Sequence, residues 1–418
     1  MKSPFNRTVA LGASVLAISL VLSACGSGFG SNSASPSAPT TGSTINSNTV
    51  SVLIGSSGDA ETTAVKSAVE AWATKNNAKA EVIVASDLVQ QASQGFASGK
   101  PADVLYVSTD SFTGWAKNGS LLAYGDELAN KDDFYDGLKQ AFTYDNKFYC
   151  APKDFSTLAL VINSDMWAEA GLTDSDIPTT WDQLEAVSKK LTKDKRVGLA
   201  FGPEVQRVGV FMAQAGGGLV TDGKATANSA ANVEALTYVK KLFTDGTAAF
   251  SSDLGAGWGG EALIKNMAAM VIEGNWITGA IKADAPNMKF KVVELPAGKQ
   301  KGTLQYTNCW GISKDGDNIA GAKSLVEFLT SKDQQLAFSK AFGPMPSIKS
   351  AKSDWASANP ELAAFVAGAD YAQNLPAMPG ASDVIKEFNS QLGQLKSSDP
   401  KAMLDGIQPL LEPVVAAK

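Results

Sequence analysis

Residues 144–163 decide the fold of this chain, and they read Tyr144-Asp-Asn-Lys-Phe-Tyr-Cys-Ala-Pro-Lys-Asp-Phe-Ser-Thr-Leu-Ala-Leu-Val-Ile-Asn163. The last part, Leu158–Ile162, is a short apolar run that predicts a buried strand. A helix at Trp181–Leu191 and a strand at Val197–Phe201 follow it, so the stretch opens a section in which strands and helices alternate.

The chain before this stretch alternates in the same way. The predicted elements are a strand at 50–54, a helix at 60–76, a strand at 80–85, a helix at 88–98 and a strand at 102–107. Such alternation is typical of an α/β fold with a parallel sheet covered by helices. Ligands bind beyond the carboxyl ends of the strands in these sheets, which directs attention to residues 56–59 and 108–112.

The first 48 residues predict export and anchoring. Residues 1–24 have the pattern of a signal peptide, because Lys2 and Arg7 precede an apolar run too short for a membrane span of roughly 20 residues. Cys25 follows it directly, which resembles the lipobox of bacterial lipoproteins and predicts acylation of Cys25. Residues 25–48 are rich in Gly, Ser, Ala and Thr and predict a flexible tether. An ordinary secreted protein with an incidental Cys25 is the alternative.

Composition limits the function of the remaining body. Its 370 residues, 49–418, are enough for two domains. The formal net charge of −6 gives no basic surface for nucleic acid, so we expect no nucleic-acid partner.

The chain contains no histidine. It therefore cannot build a Ser-His-Asp or Cys-His nucleophilic site, and it lacks the commonest zinc ligand. We predict neither a metal site nor a cofactor. Paired carboxylates could still hydrolyse glycosides, so that class stays open.

Cys150 and Cys309 form an even pair in a chain predicted to be exported. Oxidising compartments favour a disulfide between them, and two free buried thiols are the alternative.

Several runs, taken in order along the chain, resemble one family. Besides 144–163 they are Pro101-Ala-Asp-Val-Leu105 with Leu121-Leu122, Trp167 with Ala170-Gly-Leu172, Pro178-Thr-Thr-Trp-Asp-Gln-Leu184, Met267-Ala-Ala-Met-Val-Ile-Glu-Gly-Asn-Trp276 and Phe328-Leu-Thr-Ser331. They resemble the extracellular solute-binding proteins of bacterial ABC importers, in particular the sugar-binding group that includes maltose-binding and multiple-sugar-binding proteins.

The resemblance implies a two-lobe periplasmic-binding-protein-like α/β fold with a ligand cleft between the lobes and hinge crossovers. Lobe 1 would comprise 49–157 plus 308–343, and lobe 2 would comprise 158–307 plus 344–418. It also implies a monomer that carries out no chemistry, closes around a small-molecule solute and delivers it to ABC permease subunits in the membrane.

A sugar-binding cleft needs aromatic platforms and polar hydrogen-bond partners. Trp276 is the leading platform, with Asn275 and Glu273 beside it in the run that ends at Trp276. A Trp that seals a core, and an Asn that only forms a turn, are the alternatives.

Other candidate ligand-binding residues come from the crossover and from loops that follow strands. They are Asp154, Phe155 and Ser156 at the crossover, Asp59 and Asp110 after the first and third strands, and Trp258 and Trp310 as weaker platforms. Asp59 and Asp110 could equally be helix caps. Glu204 and Arg207 are the weakest candidates, because only their position after the strand that ends at Phe201 suggests a role in binding.

The leading hypothesis is thus a lipid-anchored binding protein for a carbohydrate or related polyol. The alternatives are a binding protein for a polyamine, a sugar phosphate or a phosphodiester, and a carboxylate-based surface glycoside hydrolase.

Overall fold

The computed structural model describes residues 49–56 and 58–417. The predicted signal peptide, the lipidation site at Cys25 and the tether up to residue 48 lie outside these residues. Within the described part of the chain, no helix is both long and apolar enough to cross a bilayer.

Fourteen strands are present in the described residues. They are β1 Val50–Ile54, β2 Ala80–Val84, β3 Val104–Ser108, β4 Thr143–Tyr144, β5 Lys147–Phe148, β6 Ala151–Asn163, β7 Val197–Phe201, β8 Val220–Thr221, β9 Lys224–Ala225, β10 Ala248–Phe250, β11 Ala268–Gly274, β12 Phe290–Val293, β13 Thr303–Ile312 and β14 Ala372–Gln373.

Sixteen α-helices surround them in the same described residues. They are α1 Asp59–Lys75, α2 Leu88–Ser98, α3 Thr109–Lys117, α4 Asp136–Ala141, α5 Ser164–Glu169, α6 Trp181–Leu191, α7 Val205–Gln214, α8 Ala230–Thr244, α9 Gly259–Ile264, α10 Ile277–Asp284, α11 Ile319–Leu329, α12 Lys332–Phe342, α13 Lys352–Ala358, α14 Ala363–Ala367, α15 Ala381–Leu392 and α16 Pro400–Ala416.

The main sheet has the strand order β10-β7-β11-β6-β13-β3-β1-β2, with β12 paired to β6 and β14 paired to β13. Both ends are parallel, as predicted: β1 pairs with β2 and β3, and β7 pairs with β10 and β11. The centre is antiparallel, because β6 carries the chain across the molecule and β13 brings it back.

The two central strands are longer than the sequence predicts. The apolar pattern marks 158–162 of β6 and 310–313 near the end of β13, whereas the strands span Ala151–Asn163 and Thr303–Ile312. The missed halves contain Lys153, Asp154, Gln305 and Asn308, whose polar side chains break the apolar pattern. Backbone pairing between β6 and β13 makes these halves strands all the same.

Separate hydrophobic cores lie on either side of the crossing strands. One core is built from residues between Val50 and Ala151 and between Cys309 and Ala351. A second draws on residues between Leu158 and Leu304 and between Val384 and Val415, and a third centres on Phe155, Trp355 and Phe365.

The predicted lobe boundaries stay a prediction. Ile348 and Ala351 pack in the first core, although the sequence places them in lobe 2, and Tyr135 and Leu138 pack in the third core, although the sequence places them in lobe 1. The segment that follows α12 therefore belongs to both sides of the crossing region.

A disulfide joins Cys150 to Cys309, with Cα atoms 5.6 Å apart and a sequence separation of 159 positions. Both residues are fully buried, and Cys309 lies opposite Pro152 in the pairing of β13 with β6. The bond therefore fixes the end of the crossing strands that belongs to the first core.

We expect replacement of Cys150 and Cys309 by Ala to lower the free energy of unfolding by about 2–5 kcal/mol, because the bond closes a long loop in the unfolded chain. Urea denaturation without reductant, in a Cys25→Ser background that prevents mispairing, measures this loss. An unchanged urea midpoint would show that the bond does not stabilise the fold.

Candidate functional site

The turn after β11 presents Trp276 to solvent. Its side chain is 39% exposed, although most large aromatic side chains of the described residues are buried. A Cβ at Gly274 would lie 2.2 Å from the indole ring, so the ring folds back over a residue that must lack a side chain. The Gly-Asn-Trp sequence thus sets where the ring lies.

A buried ion pair holds this ring. The indole Nε1 of Trp276 donates to Glu273 Oε2 at 3.0 Å, and Arg207 Nη2 donates to the same oxygen at 2.8 Å. The guanidinium carbon of Arg207 lies 5.3 Å from the ring centre of Trp276, within cation–π range. Glu273 is 1% exposed and therefore positions the platform from below.

The positive charge of Arg207 is paired with carboxylates inside the protein. Burial opposes the charge of Arg207, but the Glu273 carboxylate outweighs burial and raises the pKa of Arg207, so the guanidinium stays protonated. Arg207 Nη1 also lies 3.6 Å from Glu204 Oε1. Burial raises the pKa of Glu204, and Arg207 opposes that shift.

Tyr306 of β13 connects this platform to a cavity of about 310 Å³. Its ring meets the Trp276 ring edge-on, with centres 5.8 Å apart, and its hydroxyl donates to the Gln206 carbonyl. The cavity is lined by Thr109, Asp110, Gln206, Gln305, Tyr306, Asn374, Leu375, Pro376, Ala377, Ser382, Ile385, Lys386 and Asn389. Side chains from α3, from β13 and from α15 therefore meet around one space.

Carboxamides dominate the polar lining of the cavity. Gln305 Nε2 donates to Asn374 Oδ1 at 2.9 Å, and Asn389 Nδ2 donates to Gln206 Oε1 at 3.1 Å. Each carboxamide carries two donors and an acceptor with two lone pairs, so these bonds leave hydrogen-bonding capacity for a polar ligand.

Two charged side chains line the same cavity. Asp110 lies in the first turn of α3 and is exposed, and Lys386 of α15 lies 3.6 Å from Asp383. One acidic and one basic group thus add no net charge to the cavity wall.

Asn275 and Ser156 hold the platform turn in place. Ser156 Oγ donates to Asn275 Oδ1 at 2.7 Å, and Asn275 Nδ2 donates to the carbonyl of Gly343 at 3.0 Å. These contacts tie the turn to β6 and to the segment after α12. The structure therefore gives both residues a positioning role beside the platform.

Two predicted ligand residues lie in the hydrophobic cores, and we remove them from the candidate site. Trp310 is fully buried, and its ring packs against Tyr106 with centres 4.9 Å apart, so no face is open to a ligand. Phe155 is 2% exposed and packs against Tyr135 in the third core.

Three other predicted residues, Asp154, Asp59 and Trp258, do not line the cavity. Asp154 is in contact with Lys153, and its side chain is 17% exposed. Asp59 is exposed in the first turn of α1. Trp258 is partly buried immediately before α9, and a Cβ at the next residue, Gly259, would lie 2.7 Å from Glu273 Oε1.

The sequence analysis missed six residues that the structure brings to the cavity. They are Gln206, Gln305, Tyr306, Asn374, Lys386 and Asn389. The position of Gln206 in the sequence, between the weak candidates Glu204 and Arg207, was the one sequence signal that pointed to any of these six residues. The others lie on the polar half of β13 or in the C-terminal section, whose place in the fold the sequence does not reveal.

Among residues 49–56 and 58–417, no group of three or more Cys, Asp or Glu side chains is placed to hold a metal ion. The candidate site can therefore bind a ligand by stacking on the Trp276 indole, by hydrogen bonds from carboxamides and by pairing with single charged side chains.

The chain is similar to known proteins over most of its length. Residues 67–364 match the family model of the bacterial extracellular solute-binding proteins. A binding protein of Brucella abortus is 27% identical over 357 residues, which cover 81% of this chain and 86% of that protein.

Solved structures show the same fold. The cyclic alpha-maltosyl-1,6-maltose binding protein of Arthrobacter globiformis superposes with a TM-score of 0.79 at 21% identity, covering 89% of this chain and 100% of that one. UgpB of Mycobacterium tuberculosis, in complex with glycerophosphocholine, superposes with a TM-score of 0.73 at 17% identity, covering 89% and 99%. The predicted two-lobe α/β fold is confirmed.

We expect Glu273→Gln to lower the free energy of unfolding by about 3 kcal/mol, because it leaves the buried Arg207 cation without its main counter-charge. Urea denaturation followed by circular dichroism measures the change.

Glu234→Gln is the matched control. Glu234 pairs with Lys299 at an exposed surface, so we expect its urea midpoint to equal that of the parent protein. Equal midpoints for both variants would contradict the positioning role assigned to Glu273.

Proposed function

Because the chain belongs to the bacterial extracellular solute-binding protein family, we propose that it captures a carbohydrate in the cleft beside Trp276 and delivers it to an ABC permease. The ligand class is a mono- or oligosaccharide or a related polyol. The members of this family bind solutes and are not enzymes, and the protein acts outside the cytoplasm.

The observation that carries the proposal is the exposed Trp276 ring beside a cavity lined by carboxamides. A pyranose ring offers an apolar C–H face to an indole and hydroxyl groups around its rim. Gln206, Gln305 and Asn389 can accept from and donate to such hydroxyls. A volume of about 310 Å³ lies at the lower end of the range for small-molecule sites.

Charge pairing favours an uncharged ligand over the other solute classes. Arg207 is bound by Glu273, and Lys386 lies near Asp383, so neither stands as an unpaired cation for a phosphodiester. A polyamine would need a surplus of carboxylates, whereas only Asp110 lines the cavity as an acidic group. The glycerophosphocholine complex of UgpB keeps the phosphodiester class as the second candidate, with Lys386 as its contact.

Hinge closure is the proposed mechanism. Lobe 1 (49–157 plus 308–343) and lobe 2 (158–307 plus 344–418) would move about β6, β13 and the segment after α12. Antiparallel β strands bend with small changes in backbone angles over several residues, so the cores can rotate as rigid bodies. Ligand that contacts both walls of the cleft would stabilise the closed arrangement.

Anchoring is the second part of the proposal. Acylation of Cys25 would hold the protein at the outer face of the cell membrane, and a tether of some twenty residues would reach about 25 Å. This places the binding domain near a membrane permease without restricting closure.

The binding proposal predicts a rise in melting temperature of several degrees with one member of a sugar panel, because ligand at a hundredfold excess over Kd adds about 2.7 kcal/mol. Trp276→Ala should raise the Kd for that sugar at least tenfold. Thermal shift and isothermal calorimetry measure these effects.

Leu410→Ala serves as the control, because Leu410 is equally exposed but lies on α16. The panel includes maltose, maltotetraose, polyols, spermidine and glycerophosphocholine. A shift in melting temperature with glycerophosphocholine alone would replace the carbohydrate proposal by the phosphodiester one. A Trp276→Ala variant that binds the sugar as tightly as the parent protein would contradict the role of Trp276 as a stacking platform.

The anchoring proposal predicts that Cys25→Ala releases the protein from the membrane fraction of expressing cells, because no acyl chains can then be attached. Fractionation and immunoblotting measure the distribution. Retention of the variant on the membrane would contradict anchoring through Cys25.

A further inference from the structure

Lys153 is a buried cation in the first half of β6. It is 5% exposed, and its amine donates to Glu61 Oε1 at 3.0 Å and contacts the Asp154 carboxylate. The amine also lies over the ring of Tyr106, 4.7 Å from its centre, and 5.4 Å from that of Phe342.

The charge of Lys153 persists in this position. Burial opposes it, but the Asp154 and Glu61 carboxylates outweigh burial and raise the pKa of Lys153. Glu61 is itself 5% exposed and also accepts from the Tyr106 hydroxyl at 2.9 Å. A buried ion pair of this kind contributes little to net stability compared with apolar side chains, so a role in defining geometry fits it better.

The position of Lys153 along the strands is unusual as well. The pairing of β13 with β6 shifts register between Asn308 and Cys309, and Asn308 lies opposite Asp154. Irregularities of this kind increase local bending and concentrate near functional sites. On one side of the shift the disulfide fixes the strands, and on the other side they enter the crossing region.

Lys153 contacts one predicted ligand residue directly, and its partner Glu61 lies in the helix turn that carries another. Asp154 is its neighbour and direct partner, and Glu61 lies in the first turn of α1 together with Asp59. Tyr106 belongs to β3, and Phe342 ends α12, so one amine links β6 with α1, β3 and α12.

We infer that Lys153 is a positioning residue that holds the first turn of α1 and Asp154 against the crossing strand, and so positions the predicted ligand residues Asp59 and Asp154. The inference rests on the proposed function for its effect on ligand affinity. Its structural part, the tethering of α1 to β6, holds whichever solute is bound.

The test uses the double variant Lys153→Met/Glu61→Gln. It leaves the net charge of the cluster unchanged and fills the space of the lysine stem with an apolar side chain. The matched control is Lys299→Met/Glu234→Gln, which removes an exposed pair. Lys153→Arg tests whether a cation at this position restores the behaviour of the parent protein.

Hydrogen–deuterium exchange of the ligand-free protein is the first measurement. We expect at least tenfold faster exchange of amides in residues 59–64 of the double variant, unchanged exchange in α7 and α8, and exchange near that of the parent protein in Lys153→Arg. Exchange in 59–64 equal to that of the control, or acceleration spread evenly over the first core, would overturn the inference.

The Kd for maltotetraose is the second measurement, and we expect a rise of tenfold or more in the double variant only. Absence of binding in the parent protein would count against the proposed carbohydrate, while the exchange experiment would still decide the inference. Parent-like affinity together with parent-like exchange would refute the positioning role.

Discussion

The antiparallel pairing of β6 with β13 is the contact on which the rest of the structure depends. The two strands cross the molecule in opposite directions, and their ends join the parallel sheets on either side. The cores on either side bury separate sets of apolar residues, so most of the covalent and backbone connection between them runs through this crossing region. The disulfide fixes one end of the pair, and the register shift lies next to it.

The candidate site takes its geometry from the same strands. Glu273 lies opposite Ala159 of β6 in the sheet, which places its carboxylate under Trp276, and Tyr306 extends from β13 towards the same ring. The backbones of the polar residues on the crossing halves continue the sheet, and the side chain of Gln305 also lines the cavity. Ion pairing between buried groups keeps the charges in this region satisfied within the protein.

Apolar patterning gave the element positions well wherever one face of a strand or helix is buried. Helix α2 and strands β1 and β7 match their predicted bounds, and α2 lies between its N-cap Asp87 and Gly99, which ends it in the left-handed conformation. Trp310 was mistaken for a platform because a Trp on a strand looks the same in sequence whether it faces a core or a cleft. Only pairing partners distinguish the two faces of β13.

What the sequence by itself determined is the alternation of strands and helices, the pairing class of the outer strands and the exclusion of histidine chemistry. These depend on local patterns and on composition, which need no knowledge of distant contacts. Only the tertiary structure decided that Arg207 meets Glu273 and that residues from α3, β13 and α15 surround one cavity. Those contacts join segments up to some 280 residues apart, and no local pattern encodes a distance between such segments.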